Sequence, residues 1–168
     1  YMFTERKNDG DPVIPDRLRD LLLERKQTVA VAESVTAGHL QVAFSMAERA
    51  SEFFQGGITT YNLGQKARHL HVDPIHALTC NSVSEIVAAE MANYVTRLFM
   101  SDWGIAITGY ASPMPEKNIY ELYACYSFYA RDNKILCKTV KAEGDTPGEI
   151  RRFYTNHILQ DFLEMLTT

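Results

Sequence analysis

Residues 28–34 read Thr28-Val29-Ala30-Val31-Ala32-Glu33-Ser34, five β-prone residues followed by an abrupt polar pair. No polar residue interrupts Val29 to Ala32, so the run predicts a strand over 28–32 that is buried on both faces. Past the Glu33-Ser34 break, Leu40, Ala43, Phe44 and Ala47 recur at i, i+3, i+4 and i+7, the spacing of one helical face. A doubly buried strand running straight into an amphipathic helix is the first half of a β-α unit, and it sets the class as α/β.

The pattern continues in both directions. Upstream, Pro15-Asp16 opens a helix carrying Leu18, Leu21, Leu22 and Arg25 on one face. Downstream, Gly56-Gly57 introduces a strand over 58–61, and a short helix covers 65–70. Ser82-Val83-Ser84-Glu85 offers a helix start, with Ser82 or Ser84 as the cap. Val87, Met91, Tyr94, Val95 and Leu98 then mark the longest clear amphipathic helix. A third buried strand spans 103–107 and ends at Thr108-Gly109. Strands over 120–129 and 135–140 flank Asp132-Asn133, a turn signal. Thr146-Pro147-Gly148-Glu149 starts a last helix whose inner face is Ile150, Tyr154, Ile158 and Phe162. The expectation is a three-layer α/β/α sandwich around a mixed, mostly parallel sheet of about five strands. Residues 1–13 read as a polar, flexible lead-in and 14–168 as a single domain.

The bulk composition narrows the function. A net charge of -4 over 168 residues argues against a nucleic-acid partner, because affinity for a phosphate backbone comes from Lys and Arg. Arg17, Arg19, Arg25 and Lys26 are interleaved with Asp16, Asp20 and Glu24, the pattern of a solvated helix face. Three cysteines without a Cys-x-x-Cys pair fit a reducing, cytoplasmic setting. No apolar run approaches the roughly 20 residues that span a bilayer, so no membrane partner is expected. His69, His71 and His76 lack matching carboxylate or cysteine spacing, and no metal or cofactor is expected. Aromatic crowding over 120–129 points to a homo-oligomer, most simply a twofold dimer.

In open α/β sheets, ligands bind outside the carboxyl ends of the strands. Glu33, Ser34, Thr36 and Gly38 follow the first strand, Tyr61 and Lys66 the second, Thr108 and Gly109 the third, and Asp145 the last. Ser34 reads either as a cap for the helix behind it or as a nucleophile, and a serine nucleophile needs a base. Lys66 reads either as a surface lysine or as that base, which requires burial to lower its pKa toward about 7–8.

In order along the chain, Ala32-Glu33-Ser34-Val35-Thr36-Ala37-Gly38, Gly56-Gly57-Ile58-Thr59-Thr60-Tyr61 with Lys66, Val83-Ser84-Glu85, Ile107-Thr108-Gly109-Tyr110-Ala111-Ser112-Pro113, Pro115-Glu116-Lys117 and Gly144-Asp145 resemble a series of motifs. They are those of the C-terminal domain of competence/damage-inducible protein A (CinA), the nicotinamide-nucleotide amidase family. The resemblance covers roughly residues 15–166. It implies an α/β/α fold and deamidation of nicotinamide mononucleotide, a small-molecule nucleotide amide, without a cofactor. It also implies Ser34 as nucleophile and Lys66 as base, with Tyr61 and Thr108 beside them. Glu33, Thr36, Gly38, Gly57, Gly109 and Asp145 are the matching candidates for substrate binding.

The chain departs from the family pattern at defined places. Val35 and Ala37 replace a cysteine and a glycine, and Asn62-Leu63 replaces Ser-Asn. The usual His-Gly ahead of Val83 falls on Asn81-Ser82 or Cys80-Asn81. Met114 stands where glycines are expected in a shortened loop, and Tyr120-Glu121 replaces Gly-Thr. The expected consequence is a reshaped pocket, a repelled phosphate near Glu121, and either weakened or altered activity or a binding module without catalysis.

Overall fold

The computed structural model describes residues 10–168, so most of the lead-in, residues 1–9, lies outside the described residues. Pro12 and Ile14 are already buried against the domain. Five strands, β1 (Val29–Glu33), β2 (Phe54–Thr59), β3 (Trp103–Gly109), β4 (Tyr123–Ala130) and β5 (Asn133–Lys141), form one sheet in the order β2-β1-β3-β4-β5. β1 pairs in parallel with both β2 and β3, while β4 is antiparallel to β3 and to β5. β5 therefore runs in the direction of the first three strands, and β4 alone is reversed. The mixed, mostly parallel sandwich expected from the sequence is the fold observed.

Six α-helices among the described residues cover the sheet: α1 (Asp16–Arg25), α2 (His39–Ser45), α3 (Leu63–Leu70), α4 (Pro74–Thr79), α5 (Glu85–Phe99) and α6 (Pro147–Thr167). β1 shows how the two faces are built. Val29 and Val31 enter a core shared with Leu18, Leu22, Phe44, Ile105, Tyr154 and Phe162, from α1, α2, β3 and α6. Ala30 and Ala32 face the other way, toward Leu70, Val72, Val87, Met91 and Val95. The small alanines on that face let α5 lie close to the sheet. Gly104 serves the same end, since a Cβ there would stand 2.5 Å from the Ala92 carbonyl oxygen on α5.

Several boundaries differ from the sequence expectation. Gly56-Gly57 lies inside β2 rather than ahead of it. A Cβ on Gly57 would meet Val31 Cγ2 at 2.6 Å and the Val31 carbonyl oxygen at 2.8 Å, so glycine is there for close approach. α4 was missed, although Asp73-Pro74 is a cap followed by proline at the first helical position: Asp73 accepts from Ile75 N at 3.0 Å. Ser84, not Ser82, caps α5, accepting from Val87 N at 3.1 Å. The β4–β5 turn sits on Arg131-Asp132, one residue earlier than expected, with Arg131 at φ 55°. Thr146 caps α6 through Glu149 N, as its sequence signature requires.

The aromatic residues of β4 are used within the chain. Tyr126 and Phe128 are buried, and Phe128 packs on Phe162 of α6 at 5.1 Å between ring centroids. The sequence argument for a twofold partner loses that support.

Candidate functional site

β1 lies between β2 and β3, so the chain leaves the carboxyl ends of these strands in different directions and opens a crevice there. The crevice is a cavity of about 570 Å³. Ser34, Tyr61, Lys66, Thr108 and Gly109 all line it.

Lys66 stands on the first turn of α3, whose start is fixed by Asn62 accepting from Gln65 N at 3.0 Å. From there its side chain turns inward. It is only 2% exposed, and its Nζ donates to Ser34 Oγ at 2.8 Å and to the Thr60 carbonyl oxygen at 3.2 Å. Burial pushes the ammonium pKa down to about 8. The requirement placed on a base lysine, a dry position that favours the neutral amine, is met by this geometry.

Ser34 does not cap the helix that follows it. The residue preceding α2 is Gly38, in a left-handed conformation and with no side-chain cap bond. The capping is done from below by Glu33. Its fully buried carboxylate accepts from Thr36 Oγ1 at 2.6 Å, Leu40 N at 2.8 Å, Gln41 N at 3.0 Å and Gln41 Nε2 at 3.1 Å. With Glu33 taking those donors, the Ser34 hydroxyl is left for Lys66. The N–H groups of Val35 and Thr36, at the opening of the same turn, have no acceptor among the described residues. Val35 also lines the cavity, so its N–H is available to a ligand atom placed near Ser34.

Glu33, Thr36, Gly38, Gly57 and Asp145 do not line the cavity. Glu33 and Thr36 hold the turn, and Gly57 lets β2 approach β1. Asp145 is exposed, with its N–H donating to Glu149 Oε2 at 2.8 Å. Thr108 lines the cavity, but its hydroxyl donates to the Ser82 carbonyl oxygen at 2.7 Å and so fixes a wall. Tyr61 is 61% exposed at the rim, 3.5 Å from Arg151 Nη2.

Among the cavity residues that the sequence reading did not name as candidates are Asn81, Lys117 and Arg151. Arg151 reaches back from α6, where Nε donates to the Val35 carbonyl oxygen at 3.0 Å. Asn81 and Ser82 have φ of 51° and 61°, two successive non-glycine residues in the left-handed region, which concentrates strain in the cavity wall. The Asn81 carboxamide accepts from Lys117 Nζ and donates to Tyr110 Oη at 3.4 Å. It also lies 3.7 Å from Met114 Sδ. Tyr120 and Glu121 lie outside the cavity lining, and Glu121 pairs instead with Lys141 at 3.6 Å. The expected repulsion of a phosphate by Glu121 therefore has no geometric basis, whereas Met114 does line the cavity. Lys66, Lys117 and Arg151 line it too, and no carboxylate among the described residues does.

No three histidine, cysteine or acidic side chains among the described residues come together as a metal site. No helix among the described residues is long and apolar enough to cross a membrane.

The family model described as the CinA C-terminal domain matches residues 13–166. The chain is similar to a CinA-like protein of Picosynechococcus, with 33% identity over 141 residues, 83% of this chain and 34% of that protein. It thus spans about a third of the length of that curated relative. Among solved structures it is similar to the competence or damage-inducible protein of Enterobacter asburiae, with 27% identity and a TM-score of 0.84 over 90% of this chain and 94% of the other. It is also similar to the competence-damaged protein (CinA) superfamily protein of Escherichia coli, with 25% identity and a TM-score of 0.81 over 93% and 91% of the two chains.

Proposed function

The chain belongs to the CinA C-terminal domain family, and on that premise we propose that it is an amide hydrolase of the nicotinamide-nucleotide type, releasing ammonia from nicotinamide mononucleotide or a related anionic amide. The observation that carries this reading is the buried Lys66 Nζ at 2.8 Å from Ser34 Oγ. In its neutral form Lys66 takes the Ser34 proton while Oγ attacks the amide carbon. The developing oxyanion can accept from the free N–H of Val35, which lines the cavity beside Ser34. The Lys66 ammonium then returns the proton to the departing nitrogen, and water attacking the acyl-serine completes the cycle with Lys66 again as base. The Thr60 carbonyl gives the lysine a second fixed partner, which holds it in line through both steps.

The surplus of positive charge around the cavity favours a substrate that carries an anionic group. Lys117 and Arg151 are the two cations not engaged in the Ser34 pair.

A second reading, a family member that binds a ligand without turning it over, has one observation on its side. Met114 occupies cavity wall where the resemblance places glycine, 3.7 Å from Asn81 Nδ2. Ammonia release measured on nicotinamide mononucleotide and a panel of small amides separates the two. Turnover that disappears in Ser34→Ala supports the hydrolase. Ligand binding without ammonia from any member of the panel supports the binding module.

A further inference from the structure

Lys66 is a buried amine whose two hydrogen-bond partners, the Ser34 hydroxyl at 2.8 Å and the Thr60 carbonyl at 3.2 Å, are both uncharged. Glu33, next in sequence to Ser34, spends its carboxylate on Thr36, Leu40 and Gln41. The charged side chains that line the cavity beside Lys66 are the cations Lys117 and Arg151. Such surroundings favour a neutral amine, and burial brings the pKa down to about 8. Below that pH the free amine is roughly 300 times more abundant than on a lysine of pKa 10.5. The neutral amine is the form that adds to carbon dioxide. Lys66 also lines the cavity, which gives a three-atom molecule access to it.

We propose that Lys66 is a modification site for carbon dioxide, which its amine binds reversibly as a carbamate held by the Ser34 hydroxyl and the Val35 N–H. The Nζ lone pair attacks the carbon, one C=O electron pair moves onto oxygen, and one nitrogen proton leaves to solvent. Amine plus carbon dioxide gives carbamate anion plus a proton, and nothing is oxidised or reduced. The N–H that remains keeps the bond to the Thr60 carbonyl oxygen. The new carboxylate accepts from Ser34 Oγ, which has a proton of its own to give, and replaces the bond that Nζ donates to it.

An anion in a place this dry needs donors and positive charge around it. The Val35 N–H has no acceptor among the described residues, and Val35 lines the cavity. Arg151 is anchored to the same turn by the bond from its Nε to the Val35 carbonyl oxygen at 3.0 Å. Surface lysines lack this setting. Lys138 and Lys141 stand 3.5 and 3.6 Å from the carboxylates of Asp161 and Glu121, which oppose a second negative charge.

The test incubates the whole chain with isotope-labelled bicarbonate near pH 8, converts carbamates to stable esters with a trialkyloxonium salt, and quantifies each lysine peptide by mass spectrometry. Lys66 is expected to carry roughly tenfold more label than any other lysine, and to lose it when bicarbonate is removed before trapping. Ser34→Ala keeps the burial, removes the hydroxyl donor, and is expected to lower the Lys66 label roughly tenfold in a protein that still folds. Label at Lys66 no greater than at the surface lysines overturns the proposal without any variant. Unchanged label in folded Ser34→Ala overturns it as well. The readout is occupancy and not turnover, so a chain that carries the carbamate but releases no ammonia contradicts the hydrolase and supports this site.

Discussion

Lys66 Nζ and Ser34 Oγ, 32 positions apart in the chain, meet at 2.8 Å in a place almost closed to water. That closeness to serine and the absence of a carboxylate partner make the lysine unusual. Its pKa is lowered by burial alone, and no opposing charge restores it.

The first prediction concerns the rate. Lys66 works as a base only when neutral, so kcat/KM for amide hydrolysis should rise with pH through a single limb near 8 and level off above it. Steady-state assays from pH 6 to 10 check this. A flat profile, or a limb near the usual lysine value of 10.5, would remove Lys66 from the role of base.

The same shift has a signature in stability. Because the folded pKa lies below the unfolded one, the folded domain binds fewer protons between pH 8 and 10.5, and stability contributed by this group rises across that window. Relative to Lys66→Met, the unaltered domain should gain up to about 3 kcal/mol between pH 8 and 10.5. Urea unfolding of both proteins at several pH values measures it, and the variant subtracts the tyrosines and cysteines that titrate in the same range.

Glu33 and Asp145 both stand at strand ends in the sequence, and the structure gives them different tasks. Glu33→Ala strips the acceptors from the buried N–H groups of Leu40 and Gln41 and should cost roughly 3 kcal/mol, with loss of activity because Ser34 is the next residue. Asp145→Asn should stay within about 0.5 kcal/mol and leave KM unchanged, since the side chain is exposed and outside the cavity. Denaturant midpoints paired with steady-state kinetics distinguish the two.

Met114 rather than Tyr120 or Glu121 should govern what fits. Tyr120→Gly together with Glu121→Thr is expected to leave KM for nicotinamide mononucleotide within about twofold. Met114→Gly should change KM by roughly tenfold, because it empties space at the Asn81 wall. A strong response to the first pair and none to Met114 would show that the rim is arranged differently when substrate is bound.

Much of the architecture could be read from period and punctuation. The Val29–Ala32 run, the 3.6-residue period from Val87 to Leu98 and the Thr146-Pro147 start each lead to one element. Where boundaries differ, spacing alone could not decide: residue 57 is glycine because Val31 leaves no room for a Cβ inside β2, and of the two candidate caps Ser82 is held at φ 61° while Ser84 directly precedes α5. At the site, Ser34, Lys66 and Thr108 were visible because strand ends of an α/β sheet converge. Arg151 was not, because a polar position on α6 gives no hint that it bonds Val35, 116 residues earlier. Glu33 was misplaced among the ligand contacts for a related reason. A carboxylate at a strand end looks free until the turn behind it brings the Leu40 and Gln41 N–H groups within reach.

The single reversed strand divides the molecule's labour. Ser34 and Lys66 stand on the turn after β1 and the helix after β2, within the co-directional trio β2-β1-β3, while Tyr110, Met114 and Lys117 ride on the connection that crosses to β4. That connection can lengthen, shorten or change sequence without touching the strand pairings beneath the serine. In the proposed hydrolase, the groups that would select a substrate and those that would act on it thus stand on separable parts of the scaffold.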